Sequence, residues 1–169
     1  MNICLIGPSR SGKSLLATNL ASRLKMPIID TGQIIRLTAD PEDQARLAAG
    51  GLSQRGGKGT TWANELVDRA LADEEHIIVG YPRSIDQFNH IKGRALIACL
   101  MVDIETMANR PTGGRPDNVD KNVLMAKHVL FFDFLRQIWK EINIFVDCND
   151  IDNAVYCIEK RLSRIKEGG

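Results

Sequence analysis

Gly7-Pro8-Ser9-Arg10-Ser11-Gly12-Lys13-Ser14 stands directly after the apolar run Asn2–Ile6 and directly before Lys13–Leu24, whose apolar groups fall at Leu16, Leu20 and Leu24 with Ala17 and Ala21 beside them. The octet matches G-x-x-x-x-G-K-[S/T] in full, and strand-loop-helix is the setting in which that pattern cradles phosphate. The glycines let successive backbone N–H groups point at one anion, and the start of the helix adds partial positive charge. Lys13 then reaches the outer phosphates of a nucleoside triphosphate, and the Ser14 hydroxyl is a ligand for Mg²⁺. Gly7, Pro8, Ser9, Arg10, Ser11, Gly12, Lys13, Ser14 and the following Leu15 are therefore the candidate triphosphate-binding residues. A similar stretch, Gly56-Gly57-Lys58-Gly59-Thr60, fails the pattern, because Leu52 stands where the first glycine is needed and Gly59 where Ser or Thr is needed.

Further along the chain, Pro27–Asp30, His76–Gly80, Ala95–Val102 and Ile142–Asp147 are apolar runs, each followed by a polar turn and a helical pattern. Asp30 or Thr31 is the expected N-cap of the helix after the second run. The last helix is the most periodic, with Ile151, Ala154, Val155, Ile158, Leu162 and Ile165 on one face. Asn118–Lys140 reads as a long helix whose Phe131, Phe132, Phe134, Leu135 and Trp139 are core. Strands that are apolar throughout and separated by helices predict a parallel sheet covered on both faces, with ligands beyond the carboxyl ends of the strands. The expected fold class is thus α/β, a three-layer α/β/α P-loop NTPase fold with a five-stranded parallel sheet in the order 2-3-1-4-5. Gly50–Thr61, with five glycines, and Pro111–Asn118 interrupt the alternation and read as surface loops or as flaps over a cleft.

Composition narrows the function classes. At 169 residues, with 44% hydrophobic and 25% charged residues, the chain fits one compact domain, 1–169. Twenty-two Lys and Arg against 21 Asp and Glu leave a formal charge of +1, too little to hold duplex nucleic acid by phosphate neutralisation, so no nucleic-acid partner is expected. Cys4, Cys99, Cys148 and Cys157 are scattered, without C-x-x-C or Cys/His spacing, and read as reduced core thiols. The longest uncharged apolar run, Ala95–Val102, is far short of a bilayer span, and Gly7-Pro8 and Arg10 cut short any N-terminal signal. A cytoplasmic protein with no membrane partner is the expectation. His76, His90 and His128 belong to no nucleophile or metal constellation and read as structural.

A phosphate loop alone does not say where the γ-phosphoryl goes. Asp30-Thr31-Gly32-Gln33-Ile34-Ile35-Arg36 resembles the segment S-T-G-D-x-L-R of the adenylate kinase family of nucleoside monophosphate kinases, whose Thr and Arg hold the acceptor nucleotide. Gly80-Tyr81-Pro82-Arg83, with Gln87 four residues on, is similar to that family's G-F-P-R-x-x-x-Q, where Arg grips the acceptor phosphate and Gln reads the base. Glu105-Thr106-Met107-Ala108-Asn109-Arg110 and Gly114-Arg115-Pro116-Asp117-Asn118 resemble the two sides of its lid, where arginines pack on the donor adenine and clamp phosphates. The resemblance spans nearly the whole chain. It implies ATP held by the phosphate loop and Arg110, and an acceptor held by Thr31, Gly32, Arg36, Gly80, Arg83 and Gln87, with Gly59 and Thr60 giving backbone contacts from a helical flap over about 31–61. Lys13, Arg36, Arg83 and Arg115 are the implied catalytic residues. The lid, about 110–118, is too short to fold separately and has no cysteine, so it resembles the family's short form without zinc. Two polyanions brought head to head call for such arginines, because a planar guanidinium binds phosphate through paired hydrogen bonds and stays charged.

Three positions depart from the family pattern. Val79 stands where an Asp orients Mg²⁺, Gln33 replaces the Asp of S-T-G-D, and Met125, Ala126 and Lys127 occupy the place of a lid-side Arg. Asp30 ends a strand beside the phosphate loop and has two readings, a helix cap and a metal-orienting carboxylate; Ser14 and Asp30 are the candidate Mg²⁺ residues. The expected function is transfer of the γ-phosphoryl of Mg·ATP to AMP or a related monophosphate by a monomeric enzyme. The alternatives are a P-loop kinase for another small acceptor and a nucleotide-binding protein of the same fold with weak or no turnover.

Overall fold

A computed structural model of the chain describes residues 1–38, 41–42, 55–110 and 121–168. Five strands, β1 (Asn2–Ile6), β2 (Ile28–Asp30), β3 (Ile77–Val79), β4 (Ala95–Met101) and β5 (Ile144–Asp147), form one sheet in the order β2-β3-β1-β4-β5. Every pairing is parallel. The helices are α1 (Lys13–Leu24), α2 (Thr31–Thr38), α3 (Arg55–Asp73), α4 (Ile85–Ile91), α5 (Ile104–Asn109), α6 (Lys121–Ile138) and α7 (Ile151–Glu167), with a 3-10 turn at Trp139–Glu141. The expected three-layer α/β fold and strand order are those observed.

Alternation of side chains along the strands builds two cores. Ile3, Leu5, Leu96, Ala98, Leu100 and Val146 face Leu16, Ala17 and Leu20 of α1 and Ala154, Val155, Ile158 and Leu162 of α7. Cys4, Ile6, Ile78, Ile97 and Cys99 face Ala63 and Val67 of α3, Phe88 and Ile91 of α4, and Phe134, Leu135 and Ile138 of α6. Burial on both faces is why these strands read as unbroken apolar runs. Three helices, α4, α5 and α7, start where short polar side chains cap them: Ser84 accepts from the Gln87 N–H, Asp103 from Thr106 and Asp150 from Asn153.

Two expectations are corrected. Residues 55–61 of the stretch read as a loop are helical, the first turns of α3, while 50–54 and 111–120 lie outside the described residues. The helix is anchored further on, where Ala63 and Val67 pack into the core, and that packing offsets the roughly 1 kcal/mol that each glycine costs a helix. Trp139, read as core, is 59% exposed: α6 has given way to the 3-10 turn there, which rotates the ring off the buried face of Phe134, Leu135 and Ile138.

No helix among the described residues is long and apolar enough to cross a membrane. Cys4, Cys99 and Cys148 are buried and Cys157 is partly exposed, all free. Burial pushes the Cys4 thiol well above its ordinary range. Truncating Ile158 to Ala should lower unfolding stability by ~2–5 kcal/mol in denaturant titration, against less than ~0.5 kcal/mol for Ser163→Ala on the exposed side of the same helix. Iodoacetamide at pH 8 should alkylate Cys157 alone in the native chain, as read by mass spectrometry; modification of any of the other three would contradict this packing.

Candidate functional site

β1 delivers the chain to the phosphate loop at the carboxyl edge of the sheet. Gly12 sits at φ 96°, a left-handed conformation, and a Cβ there would come within 2.9 Å of Arg110 Nη1. Gly12 therefore supplies both the turn into α1 and the room for a guanidinium over it. The helix has no side-chain cap at this end, which leaves its first N–H groups directed at the loop's concavity. Ser11 is fully buried, and Arg10 takes φ 64° in the left-handed region. Lys13 Nζ donates to Gly7 O at 2.8 Å, Pro8 O at 2.6 Å and Ser11 Oγ at 3.2 Å, so the ammonium is held inside the loop that the motif assigns it to.

Arg110, at the end of α5, lies over the phosphate loop. Its Nη1 donates to Ser11 O at 2.6 Å and its Nη2 to Cys148 O at 2.8 Å, while Arg10 Nη2 donates back to Arg110 O. The loop after β5 is thus part of the site through Cys148 and Asn149, whose Oδ1 accepts from Arg110 Nη2 at 3.4 Å. Sequence reading did not single out those two residues; the rule that ligands gather at the carboxyl ends of parallel strands already pointed to the end of β5. Burial raises the Cys148 thiol to about 11 against the opposing charges of Arg110 and Lys13, and the Cys99 thiol to about 12 against that of Lys13. Both are neutral thiols under the loop, with no nucleophilic character. A cleft of about 660 Å³ lined by Asp103, Glu105, Thr106, Asn109 and Arg110 opens beside this arginine.

On the other side of β1, Leu5 pairs with Val79 and Val79 with Asp30, so β1, β3 and β2 end at one level. Parallel neighbours lie about 4.8 Å apart, which puts the turns at Gly7, Gly80 and Thr31 side by side. Gly80 has φ 79°, and a Cβ there would meet Arg83 Nη2 at 3.1 Å, Thr31 Oγ1 at 3.2 Å and Gly32 N at 3.3 Å. Those three acceptor-side candidates are therefore gathered around one glycine. Arg83 Nε donates to Gly80 O at 2.7 Å, and Gln87 Oε1 accepts from the Arg83 N–H at 2.7 Å. Thr31, buried, donates its hydroxyl to Val79 O at 3.2 Å.

Asp30 Oδ1 accepts from the Gln33 N–H at 2.9 Å, so the carboxylate caps α2 from the strand end. Val79 is 2% exposed and belongs to the core around Ile3 and Leu5. Ser14 opens the first turn of α1, exposed, with Leu15 beside it. Arg36 falls on α2, but its side chain lies outside the described residues; Arg115 lies wholly outside them. Gly59 and Thr60 sit within α3. Their side-chain surroundings are likewise outside the description.

No protein-family model matches the chain. Among solved structures it is similar to a gluconokinase from Sinorhizobium meliloti, with a TM-score of 0.74 and 17% identity over 99% of this chain and 94% of that one. It is also similar to shikimate kinase from Aquifex aeolicus, with a TM-score of 0.69 and 19% identity over 100% of both chains. At such identities the likeness is one of fold. In sequence, it is 37% identical over 92 residues to the adenylate kinase of Mycolicibacterium vanbaalenii, covering 52% of this chain and 51% of that protein. It is 32% identical over 143 residues to the adenylate kinase of Mycobacterium tuberculosis, covering 73% of this chain and 76% of that protein. Similarity of that degree across most of both chains is the mark of common descent: the chain belongs to the adenylate kinase family.

Proposed function

We propose that the protein is a nucleoside monophosphate kinase, a phosphotransferase of the P-loop fold that moves the γ-phosphoryl of ATP onto AMP or a related monophosphate. The observation that carries this reading is the clustering of Arg83, Thr31 and Gly32 around Gly80, on the strand next to the one that ends in the phosphate loop. A guanidinium one strand away from the phosphate loop is where an anionic acceptor would stand for in-line transfer. A hydroxyl acceptor, the rival reading, would more readily use a carboxylate base there.

In this reading the phosphate loop and Lys13 hold the β- and γ-phosphates, and Arg110 lies at the donor-base end. Arg83, with Arg36 and Arg115, neutralises charge as an acceptor phosphate oxygen bonds to the γ-phosphorus and the bridging oxygen departs with ADP. Phosphoryl transfer of this kind is mostly positioning and charge neutralisation, and the acceptor is already an anion near neutral pH. Gln87 and the flap over about 31–61 face the acceptor base, and the segment about 110–118 closes over the donor, excluding water. We read the chain as one kinase domain, monomeric and cytoplasmic.

The oxygen donors Ser14 and Asp30 suit Mg²⁺, a hard cation that keeps several waters and arrives on the triphosphate. When bound, Mg²⁺ withdraws charge from the bridging phosphates. Asp30 fits a metal-orienting role because it shares its register with Val79, at the strand end next to the phosphate-loop neighbour β3. The buried Val79 favours one second reading, a nucleotide-binding protein with little turnover, because the carboxylate expected there is replaced by core packing.

Incubation with Mg·ATP and each nucleoside monophosphate in turn should yield a diphosphate from at least one, resolved by ion-exchange chromatography; no product from any acceptor would defeat the kinase reading. Arg83→Ala should raise the acceptor KM by about 10- to 100-fold, the worth of hydrogen bonds to a charged group, and leave the ATP KM near its starting value. Asp30→Asn separates the two roles of that residue, because Asn caps a helix as well as Asp does. If Asp30 orients the metal, the variant should keep its thermal midpoint and lose kcat by about 10-fold or more, as expected for losing one transition-state charge contact.

A further inference from the structure

Tyr81 lies between Gly80 and Pro82 in the turn that carries Arg83, and it is 1% exposed. Its ring packs in the core beside Ala63 and Val67 of α3. Its hydroxyl donates to Asn64 Oδ1 of the same helix at 2.6 Å. Neither group reaches a phosphate-binding residue among the described contacts.

The bond ties two parts of the acceptor side. One end is α3, whose first turns hold Gly59 and Thr60. The other is the turn itself: the Tyr81 backbone continues directly from the Gly80 carbonyl, which takes the 2.7 Å hydrogen bond from Arg83 Nε. One helical turn after Asn64, Asp68 pairs with Arg94 Nη1 at 2.7 Å and His90 Nε2 at 3.0 Å, fixing α3 to the far end of α4. The Arg94 pair is an exposed one, which holds geometry weakly. The Tyr81–Asn64 bond is made by a buried donor, so a shift between the turn and the helix costs that hydroxyl its partner.

We propose that Tyr81 is a positioning residue through which α3 sets where the Arg83 guanidinium stands, making acceptor capture depend on a hydroxyl that touches no substrate. This rests on the reading of Arg83 as the grip on an acceptor phosphate.

Steady-state kinetics of Tyr81→Phe test it, since that change removes one oxygen and keeps the ring. The acceptor KM should rise about 3- to 10-fold, the worth of one hydrogen bond, with kcat falling by no more than that factor and the ATP KM unchanged within about twofold. Asn64→Ala should do the same from the other side and stands in should Tyr81→Phe not fold. The double variant should be no worse than the more affected single one, because both remove one interaction. An unchanged acceptor KM, a parallel rise in both KM values, or effects that multiply in the double variant would each overturn the inference. Wild-type protein that turns over no monophosphate would remove the kinase reading and this inference with it. A wild-type kinase indifferent to Tyr81→Phe removes the inference alone.

Discussion

The parallel register of β2, β3 and β1 is the constraint on which the site depends. Asp30 stands opposite Val79 and Val79 opposite Leu5, so three turns of unrelated sequence leave the sheet at one level. A shift of one residue in any pairing would turn that strand's side chains to the opposite face, moving Leu5 or Val79 out of one core and Cys4 or Ile78 out of the other. The two apolar layers thus fix the register, and the register fixes which loops are neighbours. Packing that has nothing to do with phosphate chemistry decides that Lys13 and Arg83 rise from adjacent strand ends.

Charge is then a local matter. The chain is nearly neutral overall, yet Lys13, Arg110 and Arg83 are all bonded to main-chain carbonyls at the carboxyl edge. These carbonyls restrain the position of each cation at the edge where phosphate oxygens would be met, so little reorganisation is needed on binding. The same economy explains the buried neutral thiols of Cys99 and Cys148: small apolar groups fill the space beneath the loop without adding a competing charge.

The architecture was legible because the strands are buried on both faces and the helices between them are periodic; the octet from Gly7 to Ser14 then located the ligand edge. The turn Gly80–Arg83 was legible for a different reason, as a resemblance, and the structure supplied its physical content by gathering Arg83, Thr31 and Gly32 around one glycine. What sequence did not disclose depended on tertiary contact. The helical start of α3 through Gly56, Gly57 and Gly59 runs against local propensity and follows from anchoring at Ala63 and Val67. Trp139 looked like core in a run of aromatics, and only the switch to a 3-10 turn takes it to the surface. The partnership of Arg110 with Cys148 joins residues 38 apart in the chain, and that of Tyr81 with Asn64 joins residues 17 apart; no spacing rule connects either pair.

The account comes down to two anionic nucleotides meeting over adjacent strand ends. Calorimetric titration with a ligand that joins two adenosines through five phosphates measures this directly, since it occupies both places at once. One molecule per chain should bind, about a hundredfold or more tighter than ATP, with the advantage lost in Arg83→Ala. Affinity no greater than that of ATP, in a protein that binds ATP well, would contradict it.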